Sequence, residues 1–135
     1  MQDHQAGHGP APQLPERLHT VGPGWHPLLL RLHGQLSALD DYQVDELKEK
    51  LGTLRVRITV PQPHSAEAQD LVRAAEEQSS TTCEFCGETG RSRRRGDAPY
   101  GWIKTACGPC HAEWSHHAMM IINGSVHRRA QRHTS

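Results

Sequence analysis

Four cysteines fall in two pairs, Cys83-Glu-Phe-Cys86-Gly87 and Cys107-Gly-Pro-Cys110-His111, with twenty residues between the pairs. A two-residue gap lets both sulfurs of a pair reach one ion, and the loop length matches the spacing of zinc sites built from two such pairs. Four thiolates suit Zn2+ in a tetrahedron, and a site closed in this way is structural. Gly87 allows the tight turn in which backbone amides point at the sulfurs. The spacing therefore predicts one zinc ion held by Cys83, Cys86, Cys107 and Cys110.

Other chemistry can be asked of the same residues. Cys107-Gly-Pro-Cys110-His111 also matches a c-type haem attachment motif, but that use leaves Cys83 and Cys86 idle and normally follows export. Cys-Gly-Pro-Cys resembles a thioredoxin active site, yet no strand–helix unit of that kind precedes it. An HNH-type metal nuclease carries two Cys pairs but needs a catalytic His between them, and residues 87–106 contain no His. His111, His116 and His117 follow too late and read as a polar helix face, with His111 bonding near the metal site or, as an alternative, replacing Cys110 as fourth ligand. No phosphate-cradling glycine loop or nucleophile elbow is present, so the expectation is a non-enzymatic protein, with the nuclease as a remote alternative.

The rest of the chain must position this module. It has 135 residues with 35% hydrophobic content and one Phe, enough for about one domain with a thin core. Such a domain usually needs a staple. No run approaches the roughly 20 apolar residues of a membrane span, and the N-terminus lacks a secretory pattern, so a reducing cytoplasm is expected. Residues 1–80 hold seven Lys/Arg against eleven Asp/Glu, and residues 81–135 hold eight against four. This asymmetry suits either a nucleic-acid-facing module or two halves that attract each other.

Residues 1–22 read as a disordered tail whose His4, His8 and His19, with His26 just beyond, are solvated or weak metal binders. Residues 23–80 read as helix, β-hairpin, helix. Leu28, Leu29, Leu32, Leu36 and Leu39 make a helical face over 25–39, with Pro27 in the first turn. Leu54, Val56, Ile58 and Val60 alternate with polar residues as a strand, and strands near 42–49 and 54–60 around Gly52-Thr53 form the hairpin. A second helix spans 65–79, capped by Ser65, with Leu71, Val72 and Ala75 as its stripe. Residues 81–124 form the four-cysteine module packed on that region. In it, a hairpin over 91–106 is followed by a helix from Cys107 to a C-cap at Asn123-Gly124. A knuckle, a hairpin and a ligand pair at a helix start resemble a treble-clef zinc finger in layout. Residues 125–135 read as a basic flexible tail. The fold class is α+β.

Gly24-Trp25-His26-Pro27-Leu28, Lys48-Glu49-Lys50-Leu51-Gly52-Thr53-Leu54-Arg55, Cys-x-x-Cys-Gly and Gly101-Trp102-Ile103-Lys104-Thr105 together resemble a group of small bacterial and phage-associated proteins of unassigned function. Its members carry Lys-Glu-Lys-Phe-Gly-x-Leu-Arg, where this chain has Leu51. The resemblance covers residues 24–110. It implies one compact domain with a hairpin over 42–60 and a C-terminal zinc-finger-like module, and no particular activity.

Arg91, Arg93, Arg94, Arg95 and Lys104 lie between the ligand pairs, near Tyr100 and Trp102. Fixed by zinc, they could contact phosphates of DNA or RNA while an aromatic stacks on a base. The plainer expectation is a solvated loop on an adaptor or regulator that binds a protein, without membrane association.

Overall fold

The computed structural model describes residues 12–129. His4, His8 and residues 130–135 of the expected basic tail therefore lie outside the described residues. The architecture is α+β. Among the described residues it has three α-helices and three two-stranded antiparallel ribbons.

Helix α1 spans His26–Leu39, with Pro27 in its first turn and Leu28, Leu29, Leu32 and Leu36 buried. Strands β1 (Gln43–Lys50) and β2 (Thr53–Thr59) pair as the expected hairpin. The sequence around β1 also fits a helix because Val44 and Leu47 are three residues apart. A bulge at Asp45 resolves this: the register shifts between Val44 and Glu46, so both apolar side chains reach the inner face. Leu51 and Gly52 form a two-residue turn with φ of 53° and 84°.

Helix α2 spans Ser65–Ser79 and is preceded by His64, so Ser65 is its first residue and not its cap. It closes the free edge of β2. The Leu54 amide donates to Ser79 Oγ (3.1 Å) and the Val56 amide to Glu76 Oε2 (2.9 Å). Glu76, which reads as a solvated charge in the sequence, thus covers an edge that would otherwise stay open.

The expected tail over 1–22 is overturned where residues are described. Leu14–Thr20 form a 3-10 helix, with Leu14 and Val21 in the core. Polar composition hid this, because the anchoring contacts are remote in sequence. The Leu14 amide donates to Tyr42 Oη (3.0 Å), which also shares a hydrogen bond with His33 Nδ1 (2.6 Å), and the Val44 amide donates to the Pro12 carbonyl (2.8 Å). His26 is likewise structural, its Nε2 donating to the Val21 carbonyl at 3.1 Å.

The C-terminal expectation is also corrected. Helix α3 spans only Gly108–Ser115. Strands β5 (Met119–Ile122) and β6 (Ser125–Arg128) follow, so 125–128 is part of a ribbon and not a flexible tail. Asn123 and Gly124, with φ of 52° and 81°, form its turn and not a helix C-cap. An Asn-Gly pair serves both roles, and the flanking Ile and Val favour the hairpin.

Candidate metal centre

The knuckle that carries Cys83 and Cys86 is closed by backbone bonds from the Cys83 amide to the Glu88 carbonyl (2.7 Å) and from the Gly87 amide to the Cys83 carbonyl (2.9 Å). Gly87 has φ of 87°, as expected of its turn. Strands β3 (Arg91–Arg94) and β4 (Ile103–Ala106) form the ribbon expected over 91–106 and deliver Cys107 to the start of α3, with Cys110 one turn on. The four sulfurs lie within 4.8 Å of one another, and Cys86 Sγ is 3.7 Å from Cys107 Sγ. All four cysteines are free of disulfides. The cluster could hold a metal ion. Among the described residues, no other group of three or more His, Cys, Asp or Glu side chains converges in this way.

The electrostatics are those of a crowded thiol cluster. Burial works against a charge on Cys83, but the amides of Cys107, Cys86 and Phe85 outweigh it and hold that thiol below its usual range. Burial pushes the Cys86 thiol up, against the pull of the Glu88 amide 3.5 Å away, and the sulfurs of Cys83 and Cys107 push it further. Cys110 is pushed well up by burial and by the sulfurs of Cys107, Cys83 and Cys86. Ligation requires thiolates, so metal uptake must expel protons held by Cys86 and Cys110. Acid therefore opposes binding: each proton released weakens affinity about tenfold per unit fall in pH. A competing chelator assay between about pH 8 and pH 6 is expected to show this loss, and pH-independent affinity would contradict it.

A second core supports the sulfurs: Phe85, Ala106, Trp114 and Met119 are buried beside Cys83 and Cys110, with the Phe85 and Trp114 rings 6.0 Å apart. His111 stands outside the convergent group. It is 8% exposed, and its Nε2 donates to the Arg94 carbonyl (2.8 Å), pinning α3 to β3. His116 and His117 are exposed at the end of α3, away from any convergent group.

The cationic candidates separate. Arg93 Nε donates to the Ala106 carbonyl (2.8 Å). Arg95 Nε donates to the Trp114 carbonyl (2.8 Å), with its guanidinium 5.3 Å from the centre of the Trp114 ring. Lys104 Nζ lies 2.9 Å from Glu84 Oε1 and 3.5 Å from Glu49 Oε1. These three side chains brace the module. Arg91 and Arg94 remain exposed, although Arg94 Nη1 also donates to the Gly101 carbonyl (3.1 Å).

Glu84 carries no signal in the sequence, yet it joins the two halves. It is 2% exposed; its Oε2 accepts the Gly22 amide (3.0 Å), and its carbonyl accepts the Gly24 amide (2.8 Å). A Cβ on Gly24 would collide with the Cys83 carbonyl oxygen, so the chain entering α1 is in backbone contact with the knuckle. Trp25, fully buried, donates from Nε1 to the Thr82 carbonyl (2.8 Å). On the other side Thr105 Oγ1 donates to the Gly52 carbonyl (2.6 Å), docking the β1–β2 turn on β4.

No helix is long and apolar enough to cross a membrane among the described residues. Comparison with protein-family models, with curated proteins and with solved structures finds no match to this chain.

Proposed function

We propose that the chain is a non-enzymatic zinc-binding protein that works as a protein-interaction adaptor or regulator, with the metal as its structural staple. The observation that carries this reading is the closed set of four sulfurs. Zinc–sulfur bonds of about 2.3 Å in a tetrahedron place sulfurs about 3.8 Å apart, and the Cys86–Cys107 separation of 3.7 Å supports that ion. Four protein ligands leave no open position for a substrate or an activated water. Knuckle, ribbon and ligand-bearing helix follow in the order of a treble-clef finger. The module's contacts with Gly22, Gly24 and Gly52 support a staple that acts on the whole domain.

Stripping the metal with a strong chelator under reducing conditions tests this. The melting temperature is expected to fall by about 15 °C, taking about 4 kcal/mol of linked stability at roughly 4 °C per kcal/mol. One equivalent of zinc should restore it. A metal-free protein that melts unchanged would remove the staple.

A second reading, nucleic-acid binding, loses much of its support at Arg93, Arg95 and Lys104, whose donors brace the module. One observation still favours it: Tyr100 and Trp102 are 96% and 76% exposed, and Trp102 lines a groove with the exposed Lys50 and Arg94.

A further inference from the structure

We propose that the outer face of the β1–β2 hairpin and the adjoining loop at Tyr100–Trp102 form a docking surface for single-stranded nucleic acid. In it, Trp102 and Tyr100 stack on bases, and Lys48, Lys50, Arg55 and Arg94 contact phosphates. The proposal rests on the second reading above, nucleic-acid binding, and moves its contact surface from the arginines between the ligand pairs to the hairpin.

The first support is the register of the hairpin. Lys50 stands opposite Thr53, Lys48 opposite Arg55 and Glu46 opposite Arg57. These pairs share the face opposite the buried Val44, Leu47, Leu54, Val56 and Ile58. Lys48, Lys50, Arg55 and Arg57 are exposed. Of the acids on this face, Glu46 lies 2.9 Å from Lys48 and 3.5 Å from Arg57, and Asp45, at the far end from the turn, accepts from Thr59 Oγ1 (2.6 Å). The result is a cationic stripe roughly 13 Å long, from the rise of four strand residues.

The stripe continues into the aromatics. Beyond Lys50, the turn residue Leu51 is 67% exposed and borders a shallow groove of about 400 Å³ that Arg94, Trp102 and Ile103 also line. Glu49, on the same rim, has its carboxylate answered by the Gly52 amide (2.7 Å) and by Lys104 (3.5 Å), so it does not cancel the stripe.

Exposure of the aromatics is the third support. This core is thin, and the other two tryptophans, Trp25 and Trp114, are 0% and 3% exposed. Trp102 at 76% and Tyr100 at 96% contribute little to the fold. Flat faces in water beside cations are what unpaired bases need, because stacking requires bases that are not already stacked in a duplex. The loop is also held in advance: the Arg95 amide donates to the Trp102 carbonyl (2.8 Å), and the Arg95 side chain anchors to Trp114 in the metal module.

Titration of the zinc-loaded protein with labelled oligo(dT) and oligo(U) of about 12 nucleotides, read by anisotropy, tests the proposal. Binding is expected to weaken with salt at a log–log slope of about 3, from four phosphate contacts at about 0.7 each. Trp102→Ala should weaken it about tenfold, and Lys50→Glu with Arg55→Glu should weaken it further and lower the slope. All of these positions are exposed, so zinc content and melting should be unchanged. Folded, zinc-loaded protein that binds neither oligonucleotide at low salt overturns the proposal. So does binding that ignores Trp102→Ala, binding as tight to a duplex, or equal competition by an acidic polypeptide, which would assign the surface to proteins. A zinc-free preparation would count against the staple instead, and the oligonucleotide titration would still decide this surface.

Discussion

Cys86→Ser is expected to abolish stoichiometric metal binding and to cost about 4 kcal/mol of stability, the linkage lost when a site weakens about a thousandfold at fixed free metal. That is a large share of the roughly 5–15 kcal/mol available to a small domain. Cys86 is the informative ligand because its side chain is exposed, whereas Cys83 is fully buried. Serine at an exposed position adds no cavity, so the change reports the metal. The check is a comparison of melts with and without chelator. Wild type and variant should differ when metal is present and coincide after stripping. Equal melting temperatures with metal present would mean that the sulfurs do not act as a ligand set. Because the knuckle touches Gly22 and Gly24, the variant's loss should spread beyond the module to the chain entering α1.

The second large effect is expected at Glu84. Glu84→Ala leaves the Lys104 ammonium, itself 14% exposed, without its nearest carboxylate, and leaves the buried Gly22 amide without an acceptor. Removing one partner of a buried ion pair costs about 3–5 kcal/mol, because the other charge stays behind. Glu49, 3.5 Å from Lys104, moderates the loss. Adding Lys104→Met to Glu84→Ala should recover part of it, with a coupling of about 0.5–3 kcal/mol. Chemical denaturation of the four proteins in that cycle measures it. Strict additivity would show that the two side chains act separately.

What could be read from the sequence was local. The two Cys-x-x-Cys pairs, the leucine face of α1, the alternation in β2 and the helix α2 each declare themselves within a few residues. The β1–β2 hairpin is legible too, although its bulge at Asp45 made one strand look helical. What stayed hidden depends on partners far along the chain. Leu14 is core because Tyr42 and α1 stand over it, 28 residues away for the Tyr42 bond. Glu84 reads as one more surface acid, and only the approach of Gly22 across 62 residues buries it. Arg93 and Arg95 look free in sequence because composition cannot reveal that carbonyls of Ala106 and Trp114 will be waiting for them. Asn123-Gly124 failed for a different reason. The dipeptide ends helices and turns hairpins equally well, and Met119, Ile121 and Ile122 fit both periods.

If four cysteines hold one zinc ion as the staple of this domain, the metal must accompany the purified chain. Plasma mass spectrometry of the purified protein, kept reduced at neutral pH, tests it most directly. About one zinc per chain is expected in the wild type and none in Cys86→Ser. A folded wild-type protein without zinc, or with the same zinc content as the variant, would contradict it.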